Sequence, residues 1–380
     1  MDKLILLYFL LSGADIFSFK VFGNTIRIVN ILALLLVFNL IILKKYQVNR
    51  QILKIYFPII IIHFISIFYS ISPMNSLVYL VYVIFYLFFT LNLVYSWGKS
   101  KSIDKIVNIY IISFRVISIL TIIQFILGNT GILKILSYQV HRGIIRPALW
   151  FYEPSYLATF LTLYYMLTLI LREKYFKDFI LSILSICLTT SSTGYISIVV
   201  GVIIYLILSR NRLKDKIKIL LLIIITSISI LIGILIIKSN IIDVFIGRLF
   251  RSGISVSSGI RMKVNIQTLD VIKENLWTGI GTNTFEEYFG NSPMNITLEI
   301  FVTLGIIGGI VLLLFFVIIT LKTYKNKSLV CQAFAISFLL FFIVLQANQN
   351  YMRLYMWNHI ALMLLLLKKV RRKSEKKMAG

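Results

Sequence analysis

Long apolar runs, each interrupted by a few polar or basic residues, follow one another along almost the whole chain. A helix that crosses a bilayer needs roughly 20 mostly apolar residues. By that measure the pattern predicts about twelve transmembrane helices. They lie near 4–20, 26–43, 52–70, 76–96, 106–127, 154–171, 178–190, 193–209, 217–238, 294–320, 329–347 and 350–367. The predicted fold class is therefore all-α, a polytopic integral membrane protein. Residues 1–368 form a single transmembrane domain and 369–380 a basic tail. The seventh and eighth runs are parted only by Ser191, Ser192 and Thr193. So tight a polar break predicts two helices meeting at a buried bend, where protein can satisfy irregular backbone. The run that starts at Leu4 has no small-residue cleavage site before the next run, so a mature helix is expected rather than a cleaved leader.

Composition agrees with the pattern. Of 380 residues 59% are apolar, above the usual 45–50% of soluble domains. The net charge of +25, from 39 Lys and Arg against 14 Asp and Glu, would suggest nucleic acid if it were spread over one face. It is not. The basic residues sit in short clusters between apolar runs, as the positive-inside rule requires. With the N-terminus cytoplasmic, 26 of the 39 fall on inside segments, 12 outside and one, Arg115, within a span. Both termini are then cytoplasmic, and the tail beyond Leu367 reads as a flexible polybasic segment facing anionic lipid. Nucleic acid is not expected as a partner; the lipid bilayer is. Cys187 and Cys331 lie inside apolar runs and offer neither a disulfide framework nor metal-ligand spacing.

Two outside segments are long, about 128–153 and 239–293. Loops of that length are uncommon unless they work. Both carry arginine on the disfavoured face: Arg142 and Arg146 in the first, Arg248, Arg251 and Arg261 in the second. Guanidinium forks match phosphate geometry, so an anion site is the natural expectation. In the first loop Ile132, Leu133, Ile135 and Leu136 recur at helical spacing and predict a short amphipathic surface helix. On such a helix Arg142 and Arg146 would share a face until Pro147. Glu153 then opens the next span. There its carboxylate suits the helix dipole, or serves as a base toward a hydroxyl. His141 is the other candidate base.

The second loop predicts an internal helix capped by Ser257 or Ser258, with Ile260, Val264, Leu269 and Ile272 as its apolar stripe. Arg261 and Lys263 in its first turns oppose the dipole, unless an anion docks there. Trp277 to Phe285, WTGIGTNTF, follows as a tight turn. Tyr138, Trp150, Tyr152, Trp277 and Tyr288 stand near the outer lip, as an aromatic belt or as stacking partners for sugars. Arg115 inside a span is expected to pair with a polar group of the bundle, and His63 and His359 to be packed core residues. With no metal cluster and no glycine-rich phosphate loop in view, metal-independent chemistry without a cofactor is expected.

RPALWFYEPSYLA (146–158), TTSSTGYISIVVG (189–201), GIRMKVNIQTLDVIKENLWTGIGTNTF (259–285) and MNITLEIFVTLGIIGG (294–309) occur in that order. Together they resemble the O-antigen polymerase and O-antigen ligase superfamily, Wzy-type polymerases in particular, over roughly residues 106–345. The resemblance implies a helical scaffold like the C-type glycosyltransferases. It also implies a glycosyltransferase that polymerises oligosaccharide repeat units on the outer face of the cytoplasmic membrane. Its substrate would be undecaprenyl-pyrophosphate-linked oligosaccharide, and its product O-antigen, capsule or exopolysaccharide. A chain-length regulator is then a further candidate partner. Family arginines of the outer loops bind the lipid pyrophosphate, and Arg146, Glu153 and Arg261 match those motifs here. Ligase-like relatives carry a histidine before the motif asparagine, whereas Met294 precedes Asn295 in this chain. That departure removes the ligases' base. Three rivals stay open: a ligase moving finished glycan to another acceptor, a flippase for the same lipid-linked unit, and a non-enzymatic membrane partner of a polysaccharide-export system, which would not require the outer arginines. Against the flippase, no matching halves are visible, and only REKYFKD separates the sixth and seventh spans.

Overall fold

The protein is described from a computed structural model that covers residues 1–21, 24–132, 136–141, 143–208, 256–348 and 351–378. It is mostly helical, in keeping with the hydropathy pattern, but not wholly so. The chain opens with α1 (Asp2–Leu10), a 3-10 turn (Leu11–Gly13) and an antiparallel hairpin, β1 (Ser18–Val21) and β2 (Asn24–Arg27). Then come α2 (Ile28–Ile42), α3 (Arg50–Phe68), and α4 (Pro73–Ile84) running through a π-helical turn (Phe85–Thr90) into α5 (Leu91–Gly98). Next are α6 (Ile103–Asn129), a second hairpin of β3 (Ser137–His141) and β4 (Ile144–Leu149), α7 (Pro154–Ile170), α8 (Arg172–Leu188) and α9 (Ser192–Leu208). After residue 255 follow α10 (Val256–Glu274), α11 (Phe285–Phe289), α12 (Ile296–Tyr324), α13 (Leu329–Val344) and α14 (Leu354–Met378).

Among the described residues four helical stretches are long and apolar enough to cross a membrane: Pro73–Gly98, Ile103–Asn129, Ile296–Tyr324 and Leu329–Ala347. Ile28–Ile42, Tyr56–Phe68, Pro154–Ile170 and Ser192–Leu208 are shorter apolar helices. The expected span 217–238 lies outside the described residues, as do Arg142, Arg248 and Arg251. The first expected span, 4–20, is corrected. Its helix stops at Leu10, because the run holds Ser12, Gly13 and Asp15, and Asp15 is drawn into an ionic contact beyond the helix. REKYFKD is corrected as well. It forms the first turns of α8, kinked at Tyr175, and is not a loop.

The two ends of the bundle sort as the basic residues predict. At one end Asp2 meets Lys101 at 3.1 Å and Lys105 at 2.8 Å, Lys174 meets Asp104 at 2.6 Å, and Lys369 donates to the Lys99 carbonyl at 3.0 Å. These are all segments read as inside. The helix of the tail continues to Met378 rather than fraying beyond Leu367, as expected from the sequence. At the other end gather Asp15, expected within the first span, and segments read as outside: the 150–153 corner, the 277–289 turn and the stretch between α13 and α14.

Between the ends, an extensive apolar core runs from α1 to α14. Arg115 of α6 stands at its edge, with its side chain 44% exposed, and is clamped there. Its Nε and Nη2 donate to the Asp178 carboxylate of α8 at 2.7 and 2.8 Å, and the Tyr164 hydroxyl of α7 adds a third bond at 2.5 Å. An intramembrane charge thus finds a bidentate partner. His63 and His359 are fully buried and hydrogen-bonded, to Ile59 O and Tyr351 and to Tyr110 and Phe334 O.

α12 is broken. Gly305 sits at φ 66°, ψ −176° inside it, which frees carbonyls that would otherwise be helical acceptors. The 277–281 turn takes them up: Ile280 N donates to Val302 O at 2.9 Å and Gly281 N to Thr303 O at 3.2 Å. In return Ile306 N donates to Leu276 O at 2.8 Å. Backbone freed at membrane depth is thus satisfied within the protein. The third and fourth sequence motifs are therefore the two halves of one joint.

Candidate active site

From Ser137 the first outer loop is a hairpin, so Arg146 stands on a strand and not on the helix expected to carry it with Arg142. Residues 133–135 lie outside the described residues, and from Ser137 the chain is extended. The hairpin wins because α6 supplies what its backbone needs. Gln124 donates to Ser137 O and accepts from Leu149 N, each at 3.0 Å. Asn129 accepts from Ile145 N and donates to Ile145 O, both at 2.9 Å. β4 is buried along its length. Arg146, in its middle, therefore points into protein and is only 7% exposed.

Arg146 Nε donates to Thr190 Oγ1 at 2.9 Å and to Thr189 O at 3.3 Å, and Nη1 to Gln139 Oε1 at 3.1 Å. Thr189 to Ser191 form a buried bend between α8 and α9, two residues before the break expected at Ser191 to Thr193, of which Ser192 and Thr193 open α9. Thr190 stands at φ 48°, a costly conformation for a β-branched residue and one that clusters at functional sites. Arg146 thus joins the first motif to the second.

Glu153 bonds to the Ser155 hydroxyl as α7 begins, at the base of the hairpin. His141 ends β3 opposite Ile144, at the hairpin tip. β4 separates the two by about 17 Å at ~3.4 Å per residue, so they do not act on one hydroxyl.

Arg261, near the start of α10, donates from Nη1 to Ala347 O at 2.9 Å. Ser257 and Ser258 fall inside that helix, whose first residue is Val256. Ala347 belongs to a polar stretch that the sequence analysis passed over as a break between spans. Gln346 O accepts from Asn295 Nδ2 at 2.9 Å, and Gln346 Oε1 from the Thr297 hydroxyl at 2.8 Å. Asn348 donates to Thr159 of α7 at 2.6 Å. Tyr351 meets His63 at 3.1 Å. Arg353 completes the series. Residues 346–353 thus touch α3, α7, α10 and α12 in turn. The signal was there: a polar, arginine-bearing stretch on the face that disfavours arginine.

Arg353 is the strongest missed residue. Its Nη1 lies 2.7 Å from both oxygens of Asp15, and its guanidinium covers the Tyr156 ring at 4.1 Å. Arg27 Nε approaches the same carboxylate at 3.1 Å. Burial pushes the Arg353 guanidinium down, but Asp15 and the neighbouring tyrosines outweigh it and hold it above its ordinary range. Two guanidinium groups share one carboxylate, so the cluster keeps one net positive charge. Glu153 lies near enough to act electrostatically on the same Tyr156. Of the aromatic residues at this lip, Tyr152 is 72% exposed and Trp277 67%, whereas Trp150 is only 9% exposed and so is packed rather than offered to a ligand.

Residues 179–313, just over a third of the chain, match the model of a family described as O-antigen ligase. The match supports the O-antigen ligase and polymerase superfamily for this protein. It runs from α8 to the middle of α12 and includes Arg261 and the broken joint, while Arg146, Glu153, Asp15 and Arg353 lie outside it. No curated protein matches the chain.

Proposed function

We propose that this membrane protein of the O-antigen ligase and polymerase superfamily is a repeat-unit polymerase. What supports the reading is that two arginines from separate loops are held in fixed positions, Arg146 on the α8–α9 bend and Arg261 on the stretch after α13, while Glu153 opens α7. A hydroxyl of one lipid-linked oligosaccharide attacks the anomeric carbon of another. Glu153 takes the hydroxyl proton, and the lipid pyrophosphate leaves. Its negative charge is met by fixed guanidinium groups in a site partly screened from water, where they act most strongly. Arg142, Arg248 and Arg251 belong to the same proposed anion site. The scheme needs no metal and no cofactor, and it suits a C-type glycosyltransferase-like scaffold. The arginine-rich end is the outer face of the cytoplasmic membrane, with both termini and the basic tail inside. A chain-length regulator is a proposed partner.

Transfer of finished glycan to another acceptor is the second reading, favoured by the description of the matched family. Met294, where ligase-like relatives carry histidine, counts against it. Purified protein in lipid, given only undecaprenyl-pyrophosphate-linked repeat units, is expected to make a ladder spaced by one repeat on a gel. No ladder from folded protein with authentic substrate would overturn the polymerase. A single product appearing only after a second acceptor is added would establish the ligase.

Glu153→Gln is expected to lower the turnover number about 10²-fold while the protein stays folded, the usual contribution of a positioned base. Turnover equal to the parent would leave the carboxylate a helix-dipole partner only.

A further inference from the structure

We infer that Asp15 and Arg353 form a positioning pair that sets the first turn of α7, and with it Glu153, without binding the substrate's anion themselves. The inference rests on the reading of Glu153 given above. Its starting point is the place where α1 stops. Asp15 N and Ile16 N both donate to Trp150 O, at 2.9 and 3.2 Å, so the N-terminal segment is stitched to the corner directly before Glu153. The Asp15 side chain makes a second stitch, accepting from Tyr152 N at 3.4 Å. Its oxygens then hold Arg353 Nη1 at 2.7 Å, and the Arg353 guanidinium lies on the Tyr156 ring. Tyr152 and Tyr156 flank Glu153 in the chain. One carboxylate thus fixes the residues on both sides of the proposed base.

Three features separate positioning from binding. Asp15 and Arg353 are buried, with side-chain exposures of 10% and 9%. Arg353 Nη1 is already spent on both oxygens of Asp15, so that donor is not offered to a phosphate. And the two partners come from opposite ends of the sequence, 338 residues apart; neither lies in the segment that matches the family. A buried ion pair held by packing and further hydrogen bonds fixes geometry better than it adds stability.

The pair also sets the field at Glu153. Glu153, Asp15 and Arg353 all act on Tyr156 of α7, while Arg353, Asp15 and Arg27 of β2 act on Tyr355 of α14, so these charges share one region. Arg146 and His141 of the second hairpin lie farther along β4 and β3. Asp15→Asn leaves Arg353 and Arg27 without their shared carboxylate and so adds one positive charge beside the first turn of α7. Arg353→Gln takes one positive charge from the same cluster, in which Arg27 still faces Asp15.

The test is chain growth by the full-length protein in lipid, with turnover measured against pH for the parent, Asp15→Asn, Arg353→Gln and the double variant. The acid limb of the turnover profile is expected to move down in Asp15→Asn, which adds a positive charge, and up in Arg353→Gln, which removes one. In the double variant it returns near the parent position. kcat falls in all three, and KM for the lipid-linked substrate is unchanged. A limb that stays put while activity and melting temperature fall together would overturn the inference and leave a structural tie. A several-fold rise in KM for Arg353→Gln at parental kcat would overturn it in favour of an anion ligand, and parental kcat in both single variants would overturn it outright. Should either variant fail to fold, Asp15→Glu keeps the charge and moves it by one methylene; lowered kcat at an unshifted limb is expected, and parental kcat would sink the pair. If the parent itself makes no ladder, the functional reading fails, not this one. The pair is then read from melting temperatures, where losses that simply add in the double variant would overturn it.

Discussion

Arg261→Ala abolishes chain growth, a loss of at least about 10²–10³-fold in turnover, while the protein remains in the membrane at its normal level. The size of the effect follows from what the side chain does in the folded protein. One donor, Nη1, is spent on Ala347 O, which fixes the guanidinium beside the polar stretch 346–348. The site is a poor place for a cation on structural grounds alone. It lies in the opening turns of α10, where the helix dipole is already positive. Removing the side chain forfeits one hydrogen bond to a neutral carbonyl, worth about 1 kcal/mol to stability. Removing a fixed donor from a developing anion costs far more, about 10²–10³ in rate. Activity and abundance are therefore expected to part company. Arg261→Lys keeps the charge but loses the planar fork, so an intermediate rate is expected. Gel ladders and immunoblots of the same membranes check both statements, and a ladder of parental length in Arg261→Ala would take Arg261 out of the anion site.

The same residue shows how far the sequence alone could reach. Arg261 is legible because a cation in the wrong place on a helix needs an external reason, and helix dipoles are local physics. A buried bend near Ser191 is legible for the same sort of reason: three small polar residues between apolar runs leave the chain no other choice. The inside and outside clusters of basic residues also find their own ends of the bundle. What the sequence hid was long-range. The run from Ile132 to Leu136 has helical spacing, yet the chain beyond it is a hairpin, because Gln124 and Asn129 of α6 bond its backbone. No window of sequence holds both parties. Asp15 is a lone acid in an apolar run and Arg353 a cation in a polar break, and neither is singled out in the sequence. Each acquires meaning only against the other, across nearly the whole chain. Trp150, open by its type to an aromatic belt or a sugar platform, is only 9% exposed and so is packed.

The joint in α12 carries the largest stability effect. Gly305→Ala is expected to cost about 3 kcal/mol or more, enough to lower the amount of folded protein sharply. Two independent terms act there. At φ 66° and ψ −176° the backbone lies in a region essentially closed to residues with a Cβ, a strain of about 1–3 kcal/mol. A Cβ at this position would also collide with the Trp277 carbonyl, which is backbone and cannot rotate away. Relieving the clash means parting the 277–281 turn from α12. That exposes Val302 O, Thr303 O and the amides of Ile280, Gly281 and Ile306, each of them costly to leave unpaired in a membrane protein. Gly279→Ala meets the same joint from the other side. Its φ is also 66°, and its Cβ would lie 2.6 Å from Gly305 N and 2.7 Å from Thr303 O. The two single losses are therefore expected to be less than additive in the double variant, because one parted joint accounts for both. Gly259→Ala supplies the contrast. That glycine lies within α10 with no atom in reach of an added Cβ, so alanine there is expected to stabilise by roughly 0.5–1 kcal/mol. Thermal unfolding of the three purified variants in one detergent decides the matter. A melting temperature for Gly305→Ala equal to that of the parent would mean that the break in α12, and the turn that fills it, do not hold this end of the bundle together.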